Sequence, residues 1–195
     1  LKNYNENIQK ALGFYEKYMS LTDYSISSRM RHADFLIIAK DYKALEAEAN
    51  KMKELDGINP RIFRYLGYSS FENGNYDAAL KALQDYISNP DTKKIAMDYL
   101  YLGKTKLKKG VSADGKTIDN TLLTAATEDL KKAAEMDPAL SKEFNETGKA
   151  YFGQKLYGVA AKFFELAMAN QDSKTAMEDS VYYAICVITD NRPFL

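Results

Sequence analysis

Apolar and polar positions along this chain recur at helical spacing in one segment after another. In RIFRYLGYSSFENGNYDAALKALQDYISNP, residues 61–90, the side chains of Phe63, Leu66, Gly67, Ser70 and Phe71 fall on one helical face. Asn73-Gly74-Asn75 interrupts the pattern, as glycine does at a helix end. Tyr76, Ala79, Leu80, Leu83, Tyr86 and Ile87 resume it, and Asn89-Pro90 closes it. The stretch predicts two amphipathic helices joined by a short turn.

The same pattern repeats elsewhere. Sliding the chain by 81 residues brings Gly67 onto Gly148, Phe71 onto Phe152, Tyr76 onto Tyr157, Ala79 onto Ala160 and Lys81 onto Lys162. The register continues without a gap through Asn89 and Asn170, Asp91 and Asp172, Lys93 and Lys174, Asp98 and Asp179, Tyr101 and Tyr182. Leu102-Gly103 echoes Leu66-Gly67 midway, and Tyr42-Lys43-Ala44 stands 34 residues before Tyr76-Asp77-Ala78. Shared composition does not produce such a run. It predicts a duplicated helix–turn–helix unit of about 34–36 residues, the kind that stacks into an array.

In the order aromatic–x–x–Leu–Gly, then Gly–x–Tyr–x–x–Ala, then a closing Pro, the units resemble the tetratricopeptide repeat (TPR). Phe63, Leu66, Gly67, Gly74, Tyr76, Ala79 and Leu83 carry the resemblance in one unit. Tyr99, Leu102, Gly103, Gly110, Ala126, Leu130, Ala133 and Pro138 carry it in the next, once an insertion after Gly110 is allowed. Phe144, Gly148, Tyr151, Tyr157, Ala160, Phe164 and Ala167 carry it in a third. Two departures are the absence of tryptophan at the first aromatic site and of a closing proline after residue 167. The resemblance implies an all-α fold, a right-handed superhelical solenoid of antiparallel helix pairs with about ten helices. A single array over 1–195 is expected, with units near 1–20 (partial), 23–56, 59–90, 94–138 with an insertion at 110–121, 141–171, and 174–190 (partial). Residues 1–20 read as a second helix without its first, Tyr4 aligning with Tyr76 and Ile8 with Leu80. Residues 174–189 read as a first helix without its second.

Function in this family is recognition, and the resemblance implies a non-enzymatic scaffold holding a peptide or partner protein in a concave groove lined by first helices. Counting from the packing glycines, the expected groove residues are Arg61, Arg64, Tyr65, Tyr68, Tyr101, Lys104, Lys142, Asn145 and Lys149, with Met97 and Leu100 beside them. That wall is basic and aromatic, so the expected ligand is acidic, offering carboxylates. Some family members grip a chaperone's C-terminal carboxylate through a Lys, Asn and Arg set. Arg64, Tyr68, Tyr101 and Glu146 stand at those places here, which disfavours that ligand.

Composition narrows the classes further. The 27 basic and 27 acidic residues cancel, so no net field draws the chain to nucleic acid or to an anionic membrane. No apolar run approaches the roughly 18 residues of a membrane span, so no direct membrane insertion is expected. A single cysteine, Cys186, excludes an internal disulfide and any multi-thiolate metal site. Cys186 is expected to be buried, and His32, the one histidine, to be a partly exposed helix residue. Most of the fifteen tyrosines are expected at packing positions, Tyr76, Tyr99, Tyr151 and Tyr157 among them. No catalytic, cofactor or metal set emerges. The chain opens without an initiator Met, as a processed or trimmed chain does. Its unpaired end helices leave apolar faces that either meet further sequence or form a homodimer.

One motif points elsewhere. Residues 110–117, GVSADGKT, match the phosphate-cradling pattern G-x-x-x-x-G-K-[ST], making a nucleotide-binding enzyme centred on Gly110, Gly115, Lys116 and Thr117 the alternative reading. Its context disagrees. The lysine-rich YLYLGKTKLKKG before it reads as a helix with a basic end, where the motif needs a buried strand. Asp114-Gly115 reads as the tight turn of an inserted surface loop.

Overall fold

The computed structural model describes residues 2–22, 24–112, 114–169 and 173–190. Among them are ten α-helices, a three-residue 3-10 turn at Pro138–Leu140 and no strand. The chain divides into two compact units, Leu1–Thr92 and Lys93–Leu195. The first holds α1 (Lys2–Leu21), α2 (Ile26–Ala39), α3 (Tyr42–Leu55), α4 (Pro60–Glu72) and α5 (Tyr76–Ser88). The second holds α6 (Ala96–Gly110), α7 (Asn120–Met136), α8 (Ser141–Gly153), α9 (Tyr157–Met168) and α10 (Ser173–Asp190).

Local chemistry sets where these helices begin. Ser25, Asp41, Asn59, Asn75 and Asp119 each accept a backbone N–H from the first turn of the helix that follows. Each satisfies donors that an α-helix leaves open at its N-terminus. Pro60 adds a preset φ at the first position of α4.

Three of the turns within helix pairs are copies of one another. Between α4 and α5, Gly74 adopts φ +82°, with Gly74 N–H donating to Phe71 O and Asn75 N–H to Ser70 O. Lys40 (φ 57°) does the same between α2 and α3, with its own N–H reaching Ile37 O and that of Asp41 reaching Leu36 O. Lys155 (φ 63°) repeats it between α8 and α9, through Phe152 O and Tyr151 O. This paired bonding pattern is the Schellman close of a helix, and it needs a left-handed residue at the turn. Glycine supplies that conformation freely, whereas the two lysines adopt it under strain.

The helix pairs close over small residues. A Cβ on Gly67 would stand 2.5 Å from Leu83 Cγ, and one on Gly103 would stand 2.7 Å from Leu130 Cγ. A Cβ on Gly148 would come within 3.0 Å of the Phe164 ring. The missing methyl at each glycine is therefore the space that the facing knob of α5, α7 or α9 fills. In the first unit the core gathers Ala33, Leu36, Leu45, Ala49, Met52, Ile62 and Tyr65. In the second, Leu100, Leu107, Leu130, Phe144, Val159 and Phe163 belong to one cluster, and Ala160, Phe164 and Cys186 to another.

Repeated aromatic contacts follow the same register. Phe71 packs on Tyr76 at 5.6 Å between centroids, and Phe152 packs on Tyr157 at 5.4 Å. Tyr151 stacks on Phe163, and Tyr182 stacks on Phe164. Cys186 is buried, and burial together with the nearby Asp190 carboxylate pushes its thiol up. His32 is half-buried, stacked against Tyr15, with Nδ1 3.8 Å from a Glu48 carboxylate oxygen.

Candidate functional site

The first helices of the pairs, α2 and α4 in one unit and α6 and α8 in the other, carry the residues singled out as a groove wall. The structure sorts them by exposure. Arg61 and Lys142 are exposed, and Arg64, Lys104 and Lys149 are half-buried. Tyr65, Tyr68, Tyr101 and Asn145 are buried, at 0%, 2%, 4% and 8% exposure, and Leu100 is buried as well. Counting from the glycines placed these residues on first helices, but part of the set is buried and not open to a ligand.

In the first unit the buried ring of Tyr65 ties α4 to α2. Its hydroxyl donates to Asp34 Oδ1 at 2.7 Å, and Arg61 Nη2 donates to both Asp34 oxygens and to the Tyr65 oxygen. Burial, then the Asp34 hydrogen bond and charge, push the Tyr65 phenol far above its usual range. Arg64 lies over the Tyr86 ring of α5, 4.6 Å from its centroid. That guanidinium is held against a ring face while keeping part of its surface in water.

In the second unit the same kind of tie runs from α6 through α8 to α10. Lys104 of α6 pairs with Glu143 of α8. Lys149 of α8 pairs with Glu178 of α10 at 2.9 Å and sits 5.6 Å from the Tyr182 ring centroid. Hydrogen bonding to Glu178 pushes the Lys149 ammonium up. Asn145 Nδ2 donates to Asp179, buried between α8 and α10.

The acidic halves of these pairs, Asp34, Glu143, Glu178 and Asp179, are the wall residues that sequence reasoning missed. A signal was present. Partners lie 27, 39, 29 and 34 residues apart, about one repeat, as first helices in successive pairs must. In each unit, then, these first helices carry paired charges, with Arg61 and Lys142 the more exposed cations.

The GVSADGKT stretch has the geometry of a closed turn. Val111 and Ile118 face each other in an isolated antiparallel bridge, and Asp119 N–H donates to Gly110 O at 2.7 Å. Ser112 N–H donates to Thr117 O and Gly115 N–H to Ser112 O. Lys116 N–H donates to the Asp114 carboxylate, and Thr117 N–H to Ser112 Oγ. A phosphate cradle points such donors at an anion, but here the loop's own acceptors take them. The Lys116 ammonium stands 3.5 Å from Asp114 Oδ2. A helix, α6, leads into the loop, and the N-terminus of α7 is capped by Asp119. Hydrogen bonds from Ser112 and the Lys116 backbone lower the Asp114 pKa. The apolar foot of the loop packs inward: Val111 lies against the second unit's core, and Gly115 lies against Leu156.

Comparison with known proteins gives the fold its context. No protein family matches the chain, and no curated protein does. Two crystal structures of MamA, a TPR-containing protein, superpose with a TM-score of 0.58 each. They share 21% and 20% identity and cover 89% and 91% of this chain, which spans 94% and 90% of theirs. The C-terminal part of a TPR repeat-containing protein from Cytophaga hutchinsonii superposes at 0.54 with 22% identity, over 80% of this chain and 60% of that one.

The fold is that of the tetratricopeptide repeat.

At this identity the likeness is one of architecture, and it agrees with the three glycine-centred helix pairs. Among the described residues no helix is long and apolar enough to cross a membrane.

Proposed function

We propose that this chain is a non-enzymatic scaffold that holds an acidic peptide, or an acidic segment of a partner protein, against its first-helix walls. Each unit offers first helices of its own to such a ligand. The observation that carries this reading is that first helices bear Arg61 and Arg64 in one unit and Lys104, Lys142 and Lys149 in the other, with Arg61, Lys104 and Lys149 paired to partly exposed carboxylates. Exposed ion pairs contribute only about 0–1 kcal/mol each. A ligand carboxylate can therefore take the place of Asp34, Glu143 or Glu178 at little cost, and the freed pair partner stays in water.

The tyrosines act from behind. Tyr65 fixes the position of Asp34 and Arg61, and the Tyr86 ring fixes Arg64, so the guanidiniums are held in place before a ligand arrives. Arginine forks so held suit bidentate carboxylate recognition. Balanced overall charge favours a protein ligand over nucleic acid, whose binding draws on a strong net positive field.

Selection from a displayed random-peptide library tests the proposal. The expected outcome is enrichment of Asp- and Glu-containing peptides, whose affinity drops at least tenfold in the Arg64→Glu, Lys104→Glu double variant. Recovery of only neutral or basic peptides, or an affinity indifferent to that variant, contradicts it.

A further inference from the structure

The first unit holds a cleft whose counterpart in the second unit is filled by aromatic rings. Residues of α3, α4 and α5 enclose an open space of about 220 Å³. Phe63 and Leu66 of α4 and Ala78 and Ala82 of α5 form its apolar lining. Phe63, Leu66 and Ala78 are half-buried, and Ala82 is buried. The charged side chains at its rim, Lys53 of α3 and Lys81 and Asp85 of α5, are exposed.

The 81-residue register gives these positions of α4 and α5 their counterparts in α8 and α9. Phe63 corresponds to Phe144, Ser70 to Tyr151, Ala78 to Val159, Ala82 to Phe163 and Asp85 to Leu166. In the second unit Phe163 packs on Phe144 at 6.1 Å between centroids and stacks on Tyr151 at 5.6 Å. Val159, Phe163 and Leu166 are buried in one cluster with Leu130 and Ala134 of α7. The first unit keeps the Phe63 ring but replaces its neighbours by a hydroxyl, two methyls and a carboxylate. Phe63 therefore has the place of Phe144 without the ring that Phe144 meets.

Size and charge narrow what can enter. A space of about 220 Å³ is smaller than the roughly 300–1,000 Å³ of drug-sized ligand sites, and it suits a single side chain. The Lys53 ammonium lies 5.9 Å from the Phe63 ring centroid. A cation at that edge favours the electron-rich face of an aromatic guest over an aliphatic one. Ser70 and Asn73 both donate to the Glu46 carboxylate, which ties up the acid nearest the turn. A ring seated on Phe63 and Leu66 removes apolar surface from water, while its flanks meet a polar, hydrated rim.

We propose that this cleft receives one aromatic side chain of a partner protein, which takes the place that Phe163 fills in the second unit. Single aromatic anchors in such pockets carry much of an interface's affinity. Arg61 and Arg64 lie outside the cleft's lining, so this site and the acidic-ligand residues can be tested separately.

Selection from a displayed random-peptide library tests this, with Ala82→Phe used to remove sequences that do not need the cleft. That variant supplies the second unit's ring from within and closes the space. Expected are peptides that share one Phe, Tyr or Trp and bind the wild-type chain at least tenfold more tightly than Ala82→Phe. Replacing that residue by leucine should cost as much. The Arg64→Glu, Lys104→Glu double variant should bind them unchanged, which separates failure of this proposal from failure of the acidic-ligand one. Circular dichroism and urea melting check the fold, and Ala82→Phe is expected to be at least as stable as wild type. If Ala82→Phe does not fold, Phe63→Leu serves in its place, because it keeps the lining apolar and removes the ring that the guest packs on. Cleft-dependent peptides without an aromatic residue overturn the proposal, as do aromatic peptides that tolerate leucine. A selection that yields no peptide sensitive to the cleft variant overturns it too.

Discussion

Lys155 and Lys40 hold a left-handed backbone that Gly74 holds without strain at the equivalent place. A non-glycine residue in that conformation loses about 1–2 kcal/mol, and glycine returns about half of that as chain entropy. Lys155→Gly should therefore raise stability by about 0.5–1 kcal/mol in urea unfolding. The packing glycines behave oppositely. Alanine is the better helix former by about 1 kcal/mol, yet a Cβ on Gly103 would stand 2.9 Å from Leu130 Cδ2 and 3.0 Å from the Ala126 carbonyl oxygen. A backbone oxygen cannot swing aside, so Gly103→Ala should destabilise by about 1–3 kcal/mol through overpacking. Gly13 of α1 has no atom within 4 Å of its would-be Cβ, and Gly13→Ala should stabilise. These glycine roles were legible in the sequence because a knob-and-hole contact recurs at a fixed spacing. The strained lysines were not, because lysine carries no signal for a left-handed turn. Only alignment with Gly74 reveals them.

Between elements, α2 is tied to α3 by a buried charge cluster. Arg29 Nη1 donates to Glu48 Oε1 at 2.7 Å, and His32 lies beside the other carboxylate oxygen. Burial pushes the Glu48 carboxyl up, but His32 and the Arg29 guanidinium outweigh it and hold it below the usual carboxylate value. The sign follows from that depression. The ionised carboxylate stabilises the fold above its unfolded pKa, and the contribution is lost as pH falls through the lower folded value. Glu48→Gln should destabilise by about 1–3 kcal/mol at neutral pH. Its gap to wild type in urea melts should close below about pH 4. The inserted loop belongs to this scale too. The phosphate-loop match looked like chemistry in one dimension, while the helix on its N-terminal side already argued for a turn. Which acceptors occupy the loop's N–H groups was not legible, because Asp114 and Ser112 act through short contacts that a pattern does not encode. Calorimetric titration of ATP with magnesium should show no binding, and Lys116→Ala should change nothing.

At the scale of the whole molecule, the repeat made the all-α, ten-helix architecture readable, since period, glycine positions and turn residues all agree. The surroundings of the candidate residues were only partly readable. Helical counting placed Arg61, Arg64 and Lys104 on first helices, where the structure has them. It did not show that Tyr65, Tyr68, Tyr101 and Asn145 are buried. Nor did it single out Asp34 and Glu143, which pair with Arg61 and Lys104. A buried tyrosine and an exposed one have the same spacing, and the difference lies in how closely adjacent helices approach. The proposed ligand nonetheless contacts first helices. Hydrogen–deuterium exchange of the chain with and without a selected acidic peptide tests it most directly. Slowed exchange confined to α4, α6 and α8 is predicted. Slowed exchange on α3, α5, α7 and α9, with the first helices unchanged, would contradict it.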